Sequence, residues 1–202
     1  HVIFEQARVV GPRRLGPNGI HCDDPFLKSV WLPKATSVGE CTFGLCSSLT
    51  HISLPVVESI GANAFSQCRV LKSVSLDARH VGDAAFFACQ ELRTVSLPFA
   101  RAASTALFRV CGLLKSVSMP VATDVLDHAF HHCPRLTSIS LPEVCRVDDY
   151  TFSCCDKLET VFLPSAEFIH TDAFYGCRRL SKDKVFAPDH AKKLLPSSFG
   201  ED

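Results

Sequence analysis

The sequence predicts an α/β repeat protein: a right-handed solenoid with a parallel sheet on its concave side and short helical or 3-10 turns on its convex side. Three observations carry that prediction. The phrase L-x-x-[VI]-x-L-P is anchored at Leu27, Leu49, Leu71, Leu92, Leu114, Leu136, Leu158 and Leu180, in steps of 22 residues with one step of 21. A second phrase, F-x-x-C-x-x-L, recurs at Phe43, Phe65, Phe86, Phe108, Phe130, Phe152 and Phe174, with a cysteine three residues after each phenylalanine. A fixed period of this size marks stacked units that share one elongated core, which overrides the domain count suggested by a length of 202 residues.

Each part of the repeat has its own reason. Taking Leu49 as position 1, positions 1, 4 and 6 (Leu49, Ile52, Leu54) put apolar side chains on one face of a short strand. Position 7 is proline at Pro33, Pro55, Pro98, Pro120, Pro142 and Pro164; without an amide donor it ends ladder pairing, so the chain turns there. Positions 12, 16, 17 and 20 (Ile60, Ala64, Phe65, Cys68) are spaced roughly helically, which predicts a short helix or 3-10 turn returning along the opposite side. One such coil cannot bury enough to offset the ordering of its backbone, so coils stack and their strands pair in parallel. The single deletion falls between Leu76 and Val81, where Asp77 also replaces the proline, and predicts one tighter loop.

The ends are less regular. Residues 1–26 read as a degenerate N-terminal repeat or cap, with Cys22 off the cysteine register; 27–180 are the solenoid proper. Residues 181–202 read as a frayed last coil, in which Val185 and Pro188 arrive about two residues late, followed by a tail or linker from 189. The start at His1-Val2-Ile3, without a methionine or apolar signal region, reads as a trimmed chain or as the ordered part of a longer protein.

Charge and motif content remove several classes. Lysine plus arginine equals aspartate plus glutamate at 21 each, so no net field draws nucleic acid or an acidic membrane, and no apolar run is long enough to insert in a bilayer. Neither a G-x-S-x-G nucleophile turn nor a phosphate-binding glycine loop occurs, so no catalytic residue, enzyme activity or cofactor is expected. Seven of the eleven cysteines (Cys46, Cys68, Cys89, Cys111, Cys133, Cys155, Cys177) fill one interior position and read as small hydrophobes; the other four form no C-x-x-C pair. Unpaired thiols lean toward an intracellular compartment. His128, His131, His132 and Cys133 form the densest group of soft ligands, but Cys133 is a core rung and the histidines read as exposed polar positions, so no metal site is expected. The acidic pairs Asp23-Asp24 and Asp148-Asp149 lack calcium-loop spacing and read as solvated loop charges.

The words L-x-x-[VI]-x-L-P followed by I-G-x-x-A-F-x-x-C, as in Leu49 to Cys68, resemble the BspA-type leucine-rich repeat over about residues 27–180. The resemblance implies a horseshoe-like leucine-rich-repeat solenoid that binds proteins without catalysis, often as adhesin-like modules on cell surfaces or in secreted proteins. This chain departs from the family pattern in its 22-residue step, against the usual 23. It also loses the glycine in the repeats carrying Ser104, Leu126, Asp148 and His170.

Because the motif letters are scaffold, recognition is expected on the outward side chains of the concave sheet. Position 5 reads Trp31, Ser53, Ser75, Ser96, Ser118, Ser140 and Phe162, with the sole tryptophan at one end. Position 3 contributes His51, and position 2 adds the basic row Lys28, Lys72, Arg93 and Lys115. Small residues let a partner backbone approach, the two aromatics serve as anchors, and the basic row favours an acidic protein partner. The expected function is a non-catalytic protein-protein interaction module of a surface or scaffold protein; the alternative is a structural subunit built permanently into a larger assembly.

Overall fold

Strand formation follows the alternation of positions 3 to 5, whose middle residue faces inward while its neighbours face out. The computed structural model describes residues 24–199 except 194 and 197, together with the backbone of Val2–Ile3 and Val9–Val10. Its first ladder consists of short parallel strands: Val2–Ile3, Ser29–Trp31 and His51–Ser53; then Ser73–Ser75, Thr94–Ser96 and Ser116–Ser118; then Ser138–Ser140, Thr160–Phe162 and Val185–Phe186. Val30, Val74, Val95, Ile139 and Val161 point into the core, none more than 4% exposed. The chain is thus a parallel-sheet β-solenoid of the leucine-rich-repeat kind.

After six of these strands the position-6 carbonyl, of leucine or in one coil Met119, accepts the amide three residues on, as in Ala35 N to Leu32 O and Val57 N to Leu54 O, both 3.3 Å. The proline occupies the second place of this β-turn, where its fixed φ is already correct. In the 21-residue repeat Asp77 is followed directly by buried Ala78, and no such closing bond forms between Leu76 and Ala78. The deleted residue is the outward one after the proline, the place held by Val56 and Phe99 in the flanking coils.

The chain then enters a second ladder of two-residue parallel strands, Val9–Val10, Ser37–Val38, Ser59–Ile60 and His80–Val81, followed by a separate group, Ala102–Ala103, Asp124–Val125, Arg146–Val147 and Phe168–Ile169. The break between the groups has a local cause. At position 13 a Cβ added to Gly82 would lie 2.5 Å from the Ala62 backbone nitrogen, so glycine coils pack closer than side chains allow. The next coil carries Ser104 there and stands off: its hydroxyl, not its amide, donates to the Val81 carbonyl. Gly82 and Leu126, at the same position, each donate their amide to the preceding coil at 2.8 Å.

The helix expected over positions 12 to 20 is not formed. In its place the chain makes i to i+3 turns around residues in the left-handed region, two per coil from Cys41 to Cys154, such as Asn63 (φ 56°) with Gln67 (φ 58°) and Ala84 (φ 53°) with Ala88 (φ 55°). A left-handed residue every four positions interrupts any right-handed helix. The cost is offset between coils: Cys41, Phe43 and Leu45 donate amides to Ala62, Ala64 and Ser66 of the following coil at 2.7–2.9 Å, and the coils from Asn63 to His132 repeat the pattern. The only helical element among the described residues is the 3-10 turn Lys182–Lys184, which takes up the late arrival of Val185. Val185 then pairs in register with Val161.

Between the ladders runs a stack of phenylalanines from Phe43 to Phe174, all fully buried, with successive ring centroids 5.2–5.8 Å apart and planes within 27° of parallel. Phe199 closes it at 5.2 Å from Phe174. Beside the stack the six ladder thiols from Cys68 to Cys177 each donate to a phenylalanine carbonyl of an earlier coil, from Cys68 to Phe43 O at 3.2 Å through Cys177 to Phe152 O at 3.0 Å. None of the ten described cysteines forms a disulfide; Cys22 lies outside the described residues.

Burial pushes the Cys68, Cys89, Cys111 and Cys155 thiols up, to about 12 for Cys89, and Cys177 rises through its hydrogen bond with Cys155 and through burial. An unfolded thiol titrates near about 8.5. Below that pH both states keep the proton; above it the unfolded chain releases protons that the folded chain holds, which favours unfolding. Stability measured by urea unfolding is therefore expected to fall from about pH 9 toward pH 12. Cys89→Ala should make that fall shallower, and an identical pH profile in the variant contradicts this role for the thiol.

Candidate functional site

The outward positions of the first ladder come together as predicted from their spacing. Strand register places Trp31 beside Ser53, Ser75 beside Ser96, Ser96 beside Ser118, and Ser140 beside Phe162. Trp31 and Phe162 are 44% and 46% exposed, and four of the five serines are exposed, Ser96 being half-buried. Exposed His51 turns its Nδ1 toward the Thr50 hydroxyl at 2.8 Å. The basic row Lys28, Lys72, Arg93 and Lys115 is exposed along one edge, with Arg93 held by Glu91 at 3.1 Å.

Two features of this face were not read from the sequence. Phe186, 47% exposed, pairs in register with Phe162 and sets its ring 6.4 Å from it, so the far end carries two aromatics. Its signal was the delayed last repeat, in which Val185-Phe186 occupies the places of Val161-Phe162. The second feature is discontinuity: no ladder pairing joins Ser116–Ser118 to Ser138–Ser140. A hollow of about 320 Å³ lies along that junction, lined by Lys115, Val117, Ile139 and Phe162 among others. Val117 and Ile52, each on the last strand before a break in this ladder, are the inward residues left only partly covered.

On the turn side, His128, His131 and His132 lie with neighbouring ring centroids 5.5–6.2 Å apart, and Tyr150 stacks at a tilt on His128. Burial, reinforced by Arg109, His128 and His132, lowers the His131 pKa to about 4, so at neutral pH it is an uncharged imidazole bonded to the Ser153 hydroxyl. Asp149, His170 and Asp172 bring potential ligand atoms within 4.8 Å of one another. The His170 Nδ1 already accepts the Asp172 amide at 3.2 Å, which is a structural use of that nitrogen. Asp148, of the acidic pair, forms an ion pair with exposed Arg146.

Comparison with known proteins follows the geometry. The sequence model of the family described as BspA type Leucine rich repeat region matches residues 21–121 and 100–201, in six copies. Among solved structures the chain is similar to a leucine rich cell surface protein from Faecalibacterium prausnitzii, with 28% identity, a TM-score of 0.70 and coverage of 82% of this chain and 46% of that one. It is also similar in fold to a leucine-rich repeat protein from Eubacterium ventriosum, at 18% identity and a TM-score of 0.54, covering 73% and 42% of the two chains. The chain thus spans less than half the length of either protein. No curated protein matches it in sequence.

Proposed function

Since the chain belongs to the BspA-type leucine-rich repeat family, whose members are generally protein-interaction modules, we propose that it is a non-catalytic recognition module of a cell-surface protein that binds a protein partner along its first-ladder face. One observation carries the reading: a floor of small hydroxyl side chains is bounded by exposed Trp31 at one end and by exposed Phe162 and Phe186 at the other. Six coil steps separate Trp31 from Phe162, roughly 29 Å at the spacing of parallel strands. An extended segment of about nine residues covers that distance, with an aromatic anchor at each end. Lys28, Lys72 and Lys115, with Arg93 partly neutralised by Glu91, favour an acidic segment.

The surface location rests on the Faecalibacterium protein, described as a cell-surface protein. The lean toward an intracellular compartment finds no support in these relatives. The ladder thiols are buried, and burial raises the pKa of Cys68, Cys89, Cys111 and Cys155, which protects these thiols from oxidation outside the cell as well as within it. The pairing of a repeat scaffold with an absence of any recognisable catalytic motif supports the non-enzymatic reading.

Capture of protein partners from cell extracts by the immobilised chain tests the proposal. Trp31→Ala combined with Phe162→Ala is expected to reduce specific capture by about ten-fold or more, as loss of interface anchors does. Capture equal to that of the parent chain overturns the face assignment. A chain that remains monomeric in size-exclusion chromatography favours the module over the permanent assembly subunit.

A further inference from the structure

We propose a second recognition site on the side wall, away from Trp31 and Phe162: the break in the second ladder is a cleft that takes a carboxylate of a partner peptide, with an adjacent apolar side chain in the neighbouring hollow. The inference stands apart from the first-ladder reading, and the two fail separately.

Two irregularities of sequence meet at this place. The change from Gly82 to Ser104 at position 13 holds Ala102–Ala103 off His80–Val81 and opens a cleft of about 230 Å³ lined by Arg79, His80, Arg101 and Ser104 among others. The one-residue deletion beside Asp77 removes the outward residue that would stand between Val56 and Phe99. Phe99, 50% exposed, and Val121, 42% exposed, then line a hollow of about 380 Å³ that shares Arg79 and Arg101 with the cleft.

Charge selects the occupant. Arg79 and Arg101 hold the same position in adjacent coils, joined by an Arg101 amide to Arg79 carbonyl bond of 3.5 Å. Like charges on neighbouring strands repel, and among the described residues neither guanidinium has an acidic partner. Glu58, next in the row, forms no ion pair with Arg79. A carboxylate placed between the two arginines relieves the repulsion and accepts their forked donors. The apolar hollow alongside separates a peptide from a bare anion: it rewards an aromatic or aliphatic residue next to the acid.

Chemical-shift titration of the whole chain tests the site, with N-acetyl-Phe-Asp-amide as probe and N-acetyl-Phe-Asn-amide and inorganic phosphate as comparisons. Saturable shifts are expected at the amides of Gly82, Ala102 and Ser104, with a dissociation constant on the order of millimolar, and the asparagine probe about five-fold weaker. Combined Arg79→Gln and Arg101→Gln should erase the preference for the acid, while Trp31→Ala leaves it intact. Ser104→Gly should let the coil close, slowing hydrogen exchange at residue 104 and abolishing the shifts. Equal affinity for the two dipeptides, phosphate binding as tight as the acidic dipeptide, or no saturation at about 20 mM would each overturn the proposal.

Discussion

Phe108→Ala is expected to lower the free energy of unfolding by about 3–5 kcal/mol, the range for removing a fully buried aromatic ring. The ring is 0% exposed, stacked at 5.8 Å on Phe86 and 5.5 Å on Phe130. Its backbone is pinned by an amide bond of 2.7 Å to Ala129 O. The coils on both sides are held in register by the first ladder and by the turn-side bonds, which resist collapse into the cavity. A stacked array also couples only nearest neighbours, so damage at its centre separates the halves. Urea unfolding followed by circular dichroism should move to lower denaturant and lose cooperativity, because residues before and after the cavity then melt apart. Phe99→Ala, on the exposed rim, is the control and should shift stability by no more than about 0.5 kcal/mol. A loss below about 1 kcal/mol at Phe108 would mean that the stack is not the element that holds the coils together.

Gly82→Ala is the second large effect, expected at about 1–3 kcal/mol. Its new methyl group would lie 2.5 Å from Ala62 N and 2.8 Å from Gly61 C, both backbone atoms that cannot rotate away. One coil further on, the equivalent Ser104 already carries a Cβ in a place that accommodates it. Ser104→Ala should therefore cost less, about 1 kcal/mol for the hydroxyl bond to Val81 O. Reversal of that order in thermal unfolding would contradict the packing explanation for the ladder break.

Residues with a fixed inward role were the ones a reader of the sequence could interpret. The leucines, prolines, phenylalanines and ladder cysteines each repeat because one shape of coil demands them, and the outward set from Trp31 to Phe162 follows from strand alternation alone. The turn side was misread as helical because Ile60, Ala64, Phe65 and Cys68 do face one core at near-helical spacing. What excludes the helix is the left-handed backbone at Asn63, Gln67, Ala88 and Val110, none of them glycine, so no residue advertised it. That conformation is sustained by bonds to the next coil, a relation between repeats rather than within one. The cleft at Ser104 was hidden for the same reason: the missing glycine is visible in the sequence, but the gap arises only where a coil with glycine meets a coil without it. Phe186 was displaced from its expected place by an insertion, which the 3-10 turn absorbs.

The two strand ladders are interrupted in different places. The first is parted between Ser53 and Ser73 and again between Ser118 and Ser138, the second between Val81 and Ala102, and the turn-side bonding runs through all three of those junctions. The joints are staggered as in a brick wall, so no plane crosses the molecule along which every course is open. Load applied along the long axis is carried past each joint by the unbroken courses beside it. The molecule therefore has one unbroken seam of backbone bonds and two jointed walls, and bending is expected to open the joints before it stretches the seam. A solenoid built this way is expected to yield under tension without parting between coils.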